Sequence, residues 1–429
     1  MARSLHSTGY EGFEGEISQH LFEDLSLLRA FTGKRKLKLL KWDDKRIAIP
    51  LRLSVELPPR GTYEGVDIRS KEDILFVFHP TMYPNIPPRV YSDRKSFPKD
   101  QLSHLYISKD GKPAPFCLVR GNYKEWYANK RITDLVIRVQ NWLADAASGD
   151  LVEDGGQFDP MRLEGFCGTT IYKYHELAEV VNSDKALEGT KNMALLLIKE
   201  LQQDTDKNQP SYEVVRILTS KEDVEEALKP IVQAISKEAE GIKVNRYMFG
   251  AIYWQEEKTP NPHYFSELPY DLLTLLKFGK NTGINMGSII SLIPLFKING
   301  IDQFPIIVGV KRPKPLIGYS GDIEFFNFFL RINEDDIKEN EIENNVRVSF
   351  QQHKEPLSVQ KAREVSGSKS KIDSALIFGC GAVGSKVTMH LIREGYDKLC
   401  LLDSDTIEPH NMIRHALTPG LLEKIKLLH

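Results

Sequence analysis

The sequence predicts an α+β domain over residues 1–160, a mixed α/β middle domain over 161–365, and the start of a parallel α/β domain over 366–429. Three observations carry this prediction. A chain of 429 residues has room for roughly three domains at ~150 residues each. A helix, a set of strands, a proline-rich stretch and a closing helix can be read between Glu16 and Leu143. Near the end, a short apolar run enters a glycine loop at 374–384.

Taken in order, Glu16–Phe31 reads as an amphipathic helix with Ile17, Leu21, Leu25 and Leu28 on one face. Strand-like segments follow at Lys36–Trp42, Ile47–Leu57 and Ile74–Phe78. The lysines of 34–41 suit one face of a strand or a docking surface. Tyr83-Pro84-Asn85-Ile86-Pro87-Pro88 reads as a rigid extended stretch, because proline fixes φ and restricts the residue before it. Next come His104-Leu105-Tyr106, Pro115-Phe116-Cys117-Leu118, Trp126 and a helix over Ile132–Leu143. The middle region predicts helices over Ala186–Gln203 and Lys221–Glu240, the second entered through Ser220 with acids in its first turn. It also predicts strands at Tyr247–Trp254, Ser288–Pro294 and Phe304–Val310. Lys311–Pro315 reads as a solvated loop, with a basic contact patch as the alternative. Asn333–Asn345 reads as an exposed acidic helix or connector, and 366–370 as a flexible link.

The carboxy-terminal stretch carries the densest chemistry. Ala375–Phe378 suits a buried parallel strand and Val383–Leu391 a helix. Gly379 permits a tight turn, Gly381 a close backbone approach to a ligand, and Gly384 helix–strand packing. Free N–H groups at the helix start would hold phosphate. A second strand, Lys398–Leu402, ends at Asp403, near the ~20-residue offset of an acid that binds ribose hydroxyls. The unit is therefore Rossmann-like and nucleotide-binding, with a purely structural strand–helix unit as the alternative. Asp403-Ser404-Asp405 followed by Asn411 and Arg414 exceeds what a dinucleotide site requires. Asn411 and Arg414 lie one helical turn apart, and a guanidinium suits phosphate.

Composition narrows the rest. A net charge of -2 and a pI near 6.6 argue against a nucleic-acid partner. No apolar run reaches ~18 residues, which argues against a membrane span, and the amino terminus lacks the apolar core of a secretory signal. The four cysteines, 117, 167, 380 and 400, have no metal-ligand spacing and suit a reduced, cytoplasmic setting. Cys117 is the candidate nucleophile, since even a small thiolate fraction attacks an acyl group; a buried small hydrophobe is the alternative. Cys380 reads as a small side chain within the loop, Cys400 as buried in its strand, and Cys167 as packing at a domain edge.

Gly-Cys-Gly-Ala-Val-Gly at 379–384, Leu-Leu-Asp-Ser-Asp-Thr-Ile-Glu at 401–408 and Asn-Met-Ile-Arg-His at 411–415 resemble the ATP site of the ubiquitin-activating, ThiF-type adenylating family. The resemblance implies that Gly379, Gly381, Gly384, Asp403, Asp405, Asn411 and Arg414 hold ATP with Mg²⁺. A lysine after Gly420, Lys424 or Lys426, would contact phosphate; a solvated helix charge is the alternative for Lys424. The amino-terminal order resembles the ubiquitin-conjugating fold, with Cys117 at its thioester cysteine. Where that family has His-Pro-Asn this chain has His104-Leu105-Tyr106, which leaves the oxyanion stabiliser to Asn122 or His104.

As a whole, the chain resembles the fused conjugating–activating proteins encoded beside cGAS-like nucleotidyltransferases in CBASS antiphage operons. That resemblance implies adenylation of a protein C-terminus, from the nucleotidyltransferase or a ubiquitin-like protein. Capture on cysteine and transfer to a target amine would follow. It also implies a homodimer formed through a complete adenylation domain. In the family the activating domain continues with a metal-binding acid, a second cysteine and further strands. The expectation is therefore that residues 1–429 lack a complete activating site and do not adenylate alone. The rival classes are a non-catalytic adaptor and an NAD-dependent oxidoreductase.

Overall fold

The first expected helix forms as α1, Gln19–Thr32. Ser18 caps it by accepting the Leu21 N–H, and Gly33 ends it at a φ of 65°. The computed structural model describes residues 4–33, 35–107, 112–151, 156–201, 210–240, 245–265, 267–296, 303–332, 346–367, 374–405 and 413–416. The chain divides into two units, Met1–Lys354 and Glu355–His429.

In the first unit, β1 (Leu40–Lys41), β2 (Ile47–Ser54), β3 (Lys71–Phe78) and β4 (Arg89–Ser92) pair in that order, all antiparallel. Alternation along β2 sends Ile47, Ile49, Leu51 and Leu53 to one face, which packs with Leu21, Leu25 and Leu28 of α1. A short helix, α2 (Tyr123–Tyr127), precedes α3 (Ile132–Ser148), which adds Leu135, Val136, Val139 and Trp142 to the same core. The opposite face carries Ala48, Leu75 and Val77 beneath Tyr10, Trp42 and Tyr91. Of the expected strand Lys36–Trp42, only Leu40–Lys41 pairs. The stretch 83–88 is not extended. Residues 80–85 form a turn, and the Tyr83–Pro84 bond is cis.

The remainder of this unit is a closed barrel of seven strands among the described residues, in the order β10–β11–β5–β7–β6–β8–β9. Its strands are β5 (Thr169–Ile171), β6 (Met193–Leu201), β7 (Ser211–Leu218), β8 (Tyr247–Trp254), β9 (Gln303–Lys311), β10 (Ile323–Arg331) and β11 (Arg347–Lys354). Leu195 and Leu197 on one face of β6 pack in the cluster that includes α5 (Lys221–Ala239), α6 (Leu272–Thr282) and Ile289 of α7 (Ile289–Phe296). Leu196 and Ile198 on the other face pack in the cluster that includes α4 (Tyr174–Asn182). Two expectations fail here. The helix expected over Ala186–Gln203 contains strand β6, and the strand expected at Ser288–Pro294 is helix α7. Met193–Ile198 is apolar throughout and Ile289–Phe296 is apolar but for Ser291, and such runs show neither a period of 2 nor one of 3.6. Their neighbours decide: β6 is paired on both edges, by β7 and β8. Arg312, expected in a solvated loop, is fully buried against Glu324.

The second unit contains α8 (Val359–Ser366), β12 (Ala375–Phe378), α9 (Gly384–Arg393) and β13 (Leu399–Leu402). β12 and β13 are parallel neighbours, with Ala375 opposite Leu399 and Phe378 opposite Leu402, joined through α9 as a β–α–β unit. Cys400, expected to be buried in this strand, is exposed, as are Leu401 and Leu402, because the described residues of this two-stranded sheet leave both faces of β13 open there. Cys167 is also exposed rather than packed; its N–H donates to Phe350 O on entry to the barrel. Residues 333–345 lie outside the described residues.

Candidate active site

Cys117 is fixed by its backbone before its chemistry is considered. Isolated bridges tie Pro115 to Tyr91 and Phe116 to Leu105, and the Cys117 N–H donates to His104 O at 2.9 Å. Phe116 stacks on Trp142 at 4.4 Å, anchoring the segment in the core. The thiol is 5% exposed and donates to Val119 O at 3.8 Å. It lines two adjoining clefts. One is bounded by Arg89, Tyr106, Pro115 and Tyr123, the other by His104, Arg120, Arg138, Asp145 and Asp150.

The groups around the sulfur come from both the sheet domain and the segment entering the barrel. Tyr106 lines the same cleft as the sulfur, and its phenol lies near enough to lower the thiol pKa. Asp159 is fully buried; its Oδ1 accepts from Arg162 at 2.8 Å, and its Oδ2 lies 3.5 Å from His104 Nε2. Arg120 approaches the same ring nitrogen at 3.4 Å. Burial pushes the Cys117 thiol above its ordinary range; Arg162 and the Tyr106 phenol pull it down, and Asp159 pushes it further up. Burial holds His104 below its usual value against the pull of Asp159, with Arg162, Arg120 and Arg138 adding to the lowering. Burial also pushes the Tyr106 phenol up to about 12, so it stays protonated and able to donate.

The segment carrying Asp159 and Arg162 is itself pinned. Phe158 bridges to Leu316, the Met161 N–H donates to Glu324 Oε1 at 2.6 Å, and the Tyr264 hydroxyl donates to Asp159 O at 3.1 Å. Arg162 pairs in parallel with Tyr106 and accepts the Ile107 N–H at 3.0 Å. Neither oxyanion candidate from the sequence is free for that task. Asn122 caps α2, accepting from Lys124 and Glu125 while its amide donates to Glu125 at 2.7 Å. His104 is buried against Asp159. Sequence reasoning missed Tyr106, Asp159 and Arg162. Tyr106 stood in a motif already noted, whereas the other two carry no local signal and reach the thiol only through the fold.

In the second unit, the loop from Gly379 to Gly384 is built for close approach. Gly379 has a φ of 83°, and a Cβ on Gly384 would meet Gly379 O at 1.7 Å. Space is open at Gly381. The Gly379 N–H donates to Leu402 O at 2.8 Å. Asp403 Oδ2 accepts the Cys380 N–H at 2.5 Å, and Oδ1 accepts the Asp405 N–H at 2.9 Å. Backbone donors from Asp405 and Cys380 hold the exposed Asp403 carboxyl below the usual carboxylate range. The segment with Arg414 returns to the loop. His415 Nε2 donates to Cys380 O at 2.8 Å, and the Ala416 N–H donates to Ser385 Oγ at 3.1 Å. Gly379, Gly381, Gly384, Asp403 and Asp405 thus lie at one loop, with Arg414 on the segment hydrogen-bonded to it. Asn411, Lys424 and Lys426 lie outside the described residues. An ionised acid beside a glycine cradle at a helix start fits a nucleotide's ribose and phosphates.

Residues 35–179 match the family model described as prokaryotic E2 family A, and residues 358–424 match that of the ThiF family. The first match extends past Asp159 and Arg162. A stretch of 66 residues is 39% identical to an uncharacterised protein, y4oA, of Sinorhizobium fredii, covering 15% of this chain and 11% of that protein. The chain therefore aligns with about a tenth of that relative's length. The two matches make the chain similar to E2-like and ThiF proteins, a similarity that supports a part in ubiquitin-like conjugation machinery, and ThiF-family adenylating enzymes use ATP. No helix among the described residues is long and apolar enough to cross a membrane.

Proposed function

We propose that this chain serves a ubiquitin-like conjugation in which Cys117 carries an acyl group as a thioester and passes it to a target amine. The carboxyl group would be the C-terminus of a cGAS-like nucleotidyltransferase or of a ubiquitin-like protein, and the setting a cytoplasmic antiphage defence. The observation that carries this reading is the surroundings of Cys117. It is the one buried thiol of the four, it lines two clefts, and it shares one of them with the phenol donor of Tyr106, with the Arg162–Asp159 pair acting on it as well. A thiol that serves only as packing has no need of that donor.

ATP with Mg²⁺, held by Gly379, Gly381, Gly384, Asp403, Asp405, Asn411, Arg414 and Lys424 or Lys426, would supply activation of the carboxylate by adenylyl transfer. The chain's own residues have separate tasks there. The glycines let backbone N–H groups approach phosphate, Asp403 offers an ionised acceptor to hydroxyls, and Arg414 brings positive charge. Adenylation, and dimerisation through the adenylation domain, belong to this same proposal.

The test offers the full chain an activated protein C-terminus and examines the products on non-reducing gels. A conjugate that disappears with thiol and in Cys117→Ala supports the reading. A conjugate that persists in Cys117→Ala, or none with any acyl donor, sinks it. Nicotinamide dinucleotide binding by calorimetry would instead favour an oxidoreductase.

A further inference from the structure

Acyl transfer between sulfurs places negative charge in two positions, and both need donors. Charge sits first on the attacking sulfur and then on the carbonyl oxygen of the tetrahedral intermediate. The two residues that the sequence offered for this task, Asn122 and His104, are committed elsewhere, to the α2 cap and to Asp159. One neutral donor lines the cleft beside the sulfur: the Tyr106 hydroxyl, on the wall that Cys117 shares with Arg89, Pro115 and Tyr123.

We propose that Tyr106 is a catalytic residue of acyl transfer at Cys117, its hydroxyl stabilising charge on the sulfur and then on the carbonyl oxygen, with Arg162 positioning it. The inference rests on the acyl-transfer reading above. The Cys117 sulfur forms a bond to the carbonyl carbon of an incoming thioester, and the carbonyl π electrons move to oxygen. On collapse the C=O re-forms, the bond to the donor's sulfur breaks, and that sulfur leaves with the proton lost by Cys117. Attack by an amine repeats the sequence, with Cys117 as the leaving group taking up the amine proton. Tyr106 lends a hydrogen bond throughout and loses no proton, because burial pushes its phenol to about 12.

Positioning follows from the backbone. The parallel bridge from Tyr106 to Arg162, and the Ile107 N–H donated to Arg162 O at 3.0 Å, hold the tyrosine against the segment entering the barrel. Asp159 fixes Arg162 from the other side at 2.8 Å. The barrel thereby supports the thioester site instead of serving as a passive spacer.

The experiment compares the full-length wild type with Tyr106→Phe, which keeps the ring and its packing. Two rates are read: single-turnover transfer from a glycine-ending peptide thioester of mercaptoethanesulfonate to Cys117, and the pH profile of iodoacetamide alkylation at the Cys117 peptide. Transfer is expected to fall ~100- to 1,000-fold, the scale for losing one oxyanion donor, and the alkylation midpoint to move to higher pH. Transfer within twofold of wild type overturns the inference whatever the alkylation profile does, and leaves the acyl-transfer reading standing. A wild-type chain that forms no Cys117 thioester from the peptide or from an activated protein C-terminus overturns that reading, and the catalytic role of Tyr106 with it. Arg162→Lys, which retains the backbone bridge and a cation, is expected to transfer within a few-fold of wild type; a loss as large as that of Tyr106→Phe would move the role to the guanidinium and overturn the assignment.

Discussion

Replacing Arg312 with methionine puts a number on the join between the barrel and the Cys117 cleft. Arg312 is fully buried; its Nε donates to Glu324 Oε2 at 2.6 Å, and its Nη1 donates to Asn261 O and His263 O at 3.0 and 2.7 Å. The guanidinium lies 4.8 Å from the Phe158 ring centroid and 5.3 Å from that of Phe265. Methionine refills the stem and keeps apolar contact with both rings, but it leaves the Glu324 carboxylate, 8% exposed, without its cation. Breaking a buried pair from one side costs about 3–5 kcal/mol. Two backbone carbonyls also lose their donors, at about 1 kcal/mol or more each. The expected loss is therefore about 5–7 kcal/mol from the first unit. Adding Glu324→Leu removes the stranded charge and should return at least ~2 kcal/mol, a coupling expected of contacting residues. Urea unfolding followed by tryptophan fluorescence reads this, since all four tryptophans lie in the first unit. A single-variant cost below ~1 kcal/mol, or a double variant no more stable than the single, would refute the reasoning.

Other outcomes follow from the same contacts. Asp159→Asn and Arg162→Gln should move the Cys117 alkylation profile in opposite directions. Asp159 raises the thiol pKa, so its loss speeds alkylation at neutral pH, whereas Arg162 lowers it, so its loss slows alkylation. Each change should be up to ~10-fold, the thiolate change for one pKa unit; shifts of the same sign would count against the arrangement. Asn122→Ala should cost about 1 kcal/mol in urea unfolding through loss of the α2 cap, with thioester formation unchanged. A folded Asn122→Ala variant that cannot form the thioester would return Asn122 to the oxyanion role. Gly384→Ala should speed amide exchange in β12 and β13, because its Cβ meets Gly379 O at 1.7 Å, whereas Gly381→Ala has open space and should not. Equal behaviour of the two variants would contradict the packing role given to Gly384.

Much of the frame was legible wherever the pattern was local. Tyr247–Trp254 forms the strand expected of it to the residue, and Ser220 caps α5 as its serine and following acids predict. The turn at Gly379 and the close packing at Gly384 follow from glycine spacing alone, and Asp403 arrives at the loop from the end of β13. Legibility failed where local pattern was silent. Met193–Ile198 is apolar throughout and Ile289–Phe296 is apolar but for Ser291, and only their packing partners make one a strand and the other a helix. Arg312, between a lysine and a proline, looked solvated until Glu324 came from another strand to pair with it.

The same division runs through the site. By itself the sequence determined the chemistry on offer: a thiol at Cys117 between Phe and Leu, a glycine loop with an acid one strand later, and a basic residue beyond. Those are properties of residue type and short spacing. Only the tertiary structure decided what surrounds the sulfur. It took Asn122 for a helix cap, buried His104 on Asp159, set Tyr106 on the wall of the thiol's cleft, and brought Arg162 toward the thiol from much further along the chain. Side-chain fields and hydrogen bonds act over a few ångströms of space, and distance along the sequence does not report that separation.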